Sequence, residues 1–249
     1  MRTIIIIVFM FMTTQSYSQT FQIFKGDTIN RIDKNQKQQG TWRKYYKSDT
    51  LAAEGKYKNG IRVGTHQTFY PSGKKQAVLV YRGMTGVSDA TMYYEDGKVQ
   101  AKGKYDGKLR DSVWTFYDAE QKVTSIEKYV KGKREGVSKV FYPNGKVSQE
   151  ITWKNDKKTG PLHEYFENGN KKTEATLLDG DFNGLVTLYQ SGGKVYMRGY
   201  YKNAQKDGVW EVFKEDGTLE RKDIYKNGFL TNPVDEKVVP IPEPKEEKE

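Results

Sequence analysis

The chain has two histidines, His66 and His163, and no cysteine. Imidazole and thiolate are the usual metal ligands and nucleophile–base partners near neutral pH. The repeating strands described below place the two histidines about 38 Å apart at about 4.8 Å per strand. They cannot share a metal or a proton relay, and each is expected on a strand surface. Asp96, Asp106, Asp179, Asp207 and Asp216 each precede a glycine, which is turn chemistry. Glu164 and Glu167 flank a strand end without a partner that the sequence can identify. The glycines form no phosphate cradle leading into a helix. These residues predict a protein without catalytic residues, cofactor or metal.

The constellation that could bind a partner is aromatic. Trp42, Trp114 and Trp210 recur at one repeat position, and Tyr46, Tyr70, Tyr94, Tyr142 and Phe166 recur four residues further on. Along a strand these positions share a face. Lys44, Lys102, Lys104, Arg198 and Lys222 are expected to border it. Aromatics on a basic surface stack with sugars or anchor protein partners. The same residues could instead form a second packed layer in a curled sheet, since eight bare aromatics would make an unusual apolar patch.

The elements that position these residues follow a period of 24. Its openers are Gly40, Gly64, Ser88, Ser112, Gly136, Gly160, Gly184 and Gly208. Five residues after each opener stands an aromatic: Tyr45, Phe69, Tyr93, Tyr117, Phe141, Tyr165, Tyr189 or Phe213. Twelve residues later a second column holds Tyr57, Tyr81, Tyr105, Tyr129, Trp153, Leu177, Tyr201 and Tyr225. Such regularity means one supersecondary unit copied along an array. Each unit reads as strand, turn, strand, turn. Gly73, Gly97, Gly145, Gly169, Gly193 and Gly217 mark the first turn, and Asn59-Gly60, Asp179-Gly180 and Asn227-Gly228 mark the second. The fold class is all-β: an elongated antiparallel meander of about eight hairpin repeats over 40–231 and about sixteen strands. Gly55, Gly103 and Gly199, two residues before the second column, predict close approach by a neighbouring aromatic ring.

The flanks differ. Residues 1–18 read as a cleaved signal peptide: Arg2, then an apolar run from Ile4 to Met12, then small residues at Ser16 and Ser18. The run is too short to span a bilayer, which takes about 20 apolar residues. Export to a periplasm or beyond the cell is expected, with no transmembrane segment after cleavage and no cysteine for a lipid anchor. Residues 19–39 read as a capping half-unit with Phe21 in the first aromatic column. Residues 232–249, rich in Pro, Glu and Lys, read as a disordered tail. Removing Arg2 and the tail's three excess negative charges from the formal +10 leaves the array at +12. That charge suits acidic glycans or lipid head groups, and equally the lysine defence against edge aggregation. Export makes nucleic acid an improbable ligand.

The segments Gly136-Val-Ser-Lys-Val-Phe-Tyr-Pro-Asn-Gly145, Gly208-Val-Trp-Glu-Val-Phe-Lys-Glu-Asp-Gly217 and Glu54-Gly-Lys-Tyr-Lys-Asn-Gly60 resemble MORN repeats, in the bacterial antitoxin-like YwqK type. The resemblance covers about residues 30–230 and implies a hairpin array used as a scaffold. It brings no catalytic residues to carry over. Three functions follow as expectations: binding an unknown protein partner in the envelope or outside the cell, binding an acidic glycan or lipid head group, or acting as the immunity partner of a toxin.

Overall fold

The computed structural model describes residues 18–24 and 26–231. The expected signal segment up to Tyr17 and the tail from Asn232 lie outside the described residues. Twenty strands and no helix are found among the described residues. Each strand pairs antiparallel with its neighbours in chain order, giving an open meander. The sixteen expected strands are present. The additions are an N-terminal hairpin (Thr20–Phe24 and Asp27–Ile32), a short last strand (Phe229–Thr231), and one strand split into Lys133–Arg134 and Gly136–Phe141.

Positions are counted below from each opener as zero, and units 1 to 8 begin at 40, 64, 88, 112, 136, 160, 184 and 208. The second turns are two-residue connections such as Asn59-Gly60, where both residues have positive φ, 53° and 80°. That geometry matches the twist of the strands and explains the Asn-Gly choice. The first turns are longer. Gly73 N–H donates to the Tyr70 carbonyl at 2.8 Å, and only the glycine takes positive φ, not Ser72 before it.

Apart from Gly136, the openers do not start strands. The first strand of unit 2 runs Ile61–Phe69, with Gly64 inside it at φ 65°. Here Glu54 pairs with Gln67 but Lys56 pairs with Val63, so two extra residues bulge from the later strand. The same slip recurs at the junctions into units 4, 6, 7 and 8. Unit 3 is the exception: Tyr81, Val80 and Leu79 pair in unbroken register with Ser88, Asp89 and Ala90. Its two extra residues lie in the connection between Tyr81 and Ser88, so the period stays at 24.

The cap departs from its expected register. Phe21 is 57% exposed, and Phe24 instead meets Tyr45 with ring centroids 4.9 Å apart. A register shift between Thr20 and Gln22 accounts for the change. The next hairpin is closed by Asn30, whose side chain acts as a strand. Its Oδ1 accepts from the Arg43 N–H at 2.8 Å, and its Nδ2 donates to the Arg43 carbonyl at 3.1 Å.

Candidate functional site

The sheet has two unlike faces. One face carries positions 2, 4, 13, 15 and 17 and holds the core. Trp114 and Trp210, at position 2, are 0% and 1% exposed. Each lies flat over the position-15 glycine of the preceding unit. A Cβ on Gly103 or Gly199 would come within 3.0 Å of the Trp114 or Trp210 ring. Each indole N–H then donates to the backbone carbonyl one residue beyond that glycine, Lys104 at 3.0 Å and Tyr200 at 3.1 Å. Tyr105 and Tyr201 of the second column meet these rings edge-on, with centroids 5.0 and 5.2 Å apart.

The expected aromatic partner face is therefore corrected. Trp114 and Trp210 are core, and the half-buried Trp42 meets Tyr57 edge-on at 5.8 Å. The half-buried tyrosines four residues later do not extend that face, because the strand ends before them. Tyr46, Tyr70, Tyr94 and Tyr142 instead reach to the next unit. Each hydroxyl donates at 2.7 to 2.8 Å to the carbonyl of that unit's first-column residue, Phe69, Tyr93, Tyr117 or Tyr165. Phe166 occupies the same position without a hydroxyl. Among the expected bordering cations, Lys44 is on the core face, whereas Lys102, Lys104, Arg198 and Lys222 lie on the opposite one.

His66 is a second correction. It is 9% exposed and occupies the tryptophan position of unit 2, over Gly55. Burial pushes its imidazole pKa below the usual value, opposed by the Lys56 carbonyl and reinforced by the Arg62 charge. His163 is half-exposed on the opposite face, its Nδ1 3.7 Å from Glu174 Oε1. Among the described residues no three His, Cys, Asp or Glu side chains come together as metal ligands.

Cations that the sequence reading missed complete the core face. Arg62, Arg110, Arg134, Lys158 and Lys206 stand two residues before their openers. Each pairs directly across from a second-column aromatic: Tyr57, Tyr105, Tyr129, Trp153 and Tyr201. Arg134 lies 3.5 Å from the centroid of Trp153, and Lys206 lies 4.2 Å from that of Trp210. Such stacking is worth about 0.5–2 kcal/mol. Where the column holds Leu177, the opposite residue is Phe182. The alternation of cation against ring, and apolar side chain against leucine, was available in the sequence at a fixed offset from the openers.

The other face carries positions 1, 3, 5, 14 and 16. Its first-column aromatics are half-buried, and Tyr165, Tyr189 and Phe213 meet the position-14 side chains Glu150, Glu174 and Arg198 of the preceding unit. Along the array this face carries cross-strand ion pairs: Arg43–Glu54 at 2.5 Å, Lys139–Glu150 at 2.7 Å and Arg198–Glu211 at 2.7 Å. Lys139 holds the Glu150 carboxyl below its ordinary value. Tyr165 donates to Glu150 at 3.2 Å, and Tyr189 donates to Glu174. Burial and that carboxylate push the Tyr189 phenol up to about 12. Beside these pairs, near the middle of the array, the face also exposes apolar side chains. Val113 and Val137 are each 52% exposed, with Leu109 and Val130 exposed beside them.

Among the described residues no helix is long and apolar enough to cross a membrane. No curated protein matches the chain. Four segments do match a family model, the MORN repeat variant: 38–59, 89–106, 134–155 and 206–227. Three of them begin two residues before an opener, so the family's unit starts at the bulged strand and ends in the second turn. The chain is therefore similar to MORN-variant repeats at four places along its hairpin array.

Proposed function

We propose that this protein is a non-enzymatic binding scaffold whose partner is another protein, docked on the face opposite the core. The observation that carries this reading is the exposed apolar group Leu109, Val113, Val130 and Val137 at mid-array, beside half-exposed aromatic rings. Aromatic and aliphatic anchors within a polar surround are the composition of protein interfaces. The core face is already filled by its own rings and cations. The N-terminal sequence pattern supports export, so the partner would be met in the envelope or outside the cell.

Capture from the organism's own envelope fraction tests this, using the chain and a Val113→Glu, Val137→Glu variant. Loss of a captured protein in the variant supports the reading, and an identical set of captured proteins removes the case for this face. Sequencing the mature N-terminus tests export. The immunity reading stands on the antitoxin-like resemblance, and co-expression with a toxin encoded beside the gene tests it.

A further inference from the structure

We infer that His66 makes the junction between units 1 and 2 an acid-sensitive joint, opening at a pH that leaves the tryptophan junctions closed. The argument is an internal comparison. Trp114, Trp210 and His66 share one construction: a ring over a glycine, a ring nitrogen on the carbonyl one residue beyond, and second-column tyrosines edge-on. The His66 Nε2 is 2.8 Å from the Lys56 carbonyl, so this nitrogen carries the proton, and the Tyr57 and Tyr81 rings lie 5.2 and 5.0 Å away. Indole has one ring nitrogen and cannot charge. Imidazole has a second, Nδ1, facing Gly55.

A proton added at Nδ1 would meet no carboxylate. From the strand Ile61–Phe69 the charged neighbour is Arg62, which donates to the hydroxyls of Tyr57 at 3.2 Å and Tyr81 at 2.9 Å and lies 6.0 Å from the centroid of the Tyr81 ring. From Leu51–Lys58 come Tyr57 and Glu54, and Glu54 is held by Arg43 on the other face. From Gln38–Tyr45 comes Lys44, and from Lys75–Tyr81 comes Tyr81. Imidazolium would therefore face the Arg62 guanidinium and two phenols, opposed only by hydrogen bonding to the Lys56 and Val63 carbonyls, with Lys44 lining the same cleft. A cleft of about 170 Å³, lined in part by Trp42, Lys44, Tyr57, Arg62 and His66, gives the charged ring room to swing into water.

The direction follows from linkage. The folded imidazole has a pKa below the ordinary 6.5, so the opened junction binds the proton more tightly. The junction has its full stability above pH 6.5 and loses it as pH falls through the folded-state pKa. Within that window the opening equilibrium gains up to about tenfold per pH unit.

Hydrogen exchange of the intact chain between about pH 7.5 and about pH 5.5, a range set by ordinary histidine titration, tests the joint. Amides of Gly55–Phe69 are read against those of Gly199–Phe213, the equivalent stretch under Trp210, which corrects for the chemistry of exchange. The expected result is an acid-dependent excess of opening at the first stretch of up to about tenfold per pH unit, abolished by His66→Trp. His66→Phe, also unable to charge, should abolish it too and covers the case in which the larger ring does not seat. Parallel behaviour of both stretches in the unaltered chain, or an excess persisting in the variants, would overturn the inference.

Discussion

The junctions between units 3 and 4 and between units 2 and 3 occupy neighbouring places in one sheet and are filled in opposite ways. At the first, Trp114 covers Gly103, the strand bulges by two residues and the indole N–H finds a backbone carbonyl. At the second, Leu79 sits across from Ala90, the register is unbroken and an alanine stands where the tryptophan would be. Large and small have changed sides. Elsewhere Ala175 stands across from Val186 and Ile151 from Leu162, both intermediate solutions. The two facing positions fill the junction together, large over small at one place and two middling side chains at another, and the neighbouring side chains take up the remaining difference, as close packing requires.

The comparison is broken most severely by removing the ring. Trp114→Ala should cost about 3–5 kcal/mol in urea unfolding, since the glycine beneath cannot fill the space. Next comes Gly103→Ala, expected to cost about 1–3 kcal/mol because the new methyl displaces the indole. In a Trp114→Ala background the same change should cost far less, giving a coupling of about 1–3 kcal/mol in a double-mutant cycle. Additive losses would mean that the pair is not a packing unit.

A smaller effect tests what the two junctions share. Tyr70→Phe and Tyr94→Phe each remove one hydroxyl rung, the first at the aliphatic junction and the second at the ring junction. Each should cost about 0.5–1.5 kcal/mol, and the two losses should agree. A large difference would show that the rungs depend on how the core is filled. The smallest effect at neutral pH belongs to Tyr189. Its phenol titrates higher folded than unfolded, so its contribution is complete below pH 10 and is lost as pH rises toward about 12. Circular dichroism across that range should show a shallower alkaline loss in Tyr189→Phe.

The period, the hairpins and the close approach of rings to Gly55, Gly103 and Gly199 were legible because turn chemistry and the lack of a Cβ are local properties. The destination of the tryptophans was not. Strand alternation groups Trp42 with Tyr46, but the strand ends at Tyr45 and leaves Tyr46 in a turn. Which second-strand residues share the tryptophan's face depends on the bulge at the opener, and that bulge depends on tertiary packing. One signal was present: His66, Trp114 and Trp210 each follow a glycine by eleven residues. That spacing would have placed His66 in the core. Trp42 has Arg31 at the same offset, and it is only half-buried.

The eleven-residue offset also has a direction. Each ring belongs to the later unit and each glycine to the earlier one. On the ribosome Gly103 emerges before Trp114, by between about 0.5 and 2 s at the usual 5–20 residues per second. Until then a completed hairpin of unit 3 waits with bare backbone where the indole will lie. At such a glycine, growth of the array is therefore a relay in which one hairpin is finished by its successor, and the nascent chain carries that unit unfinished at its leading edge.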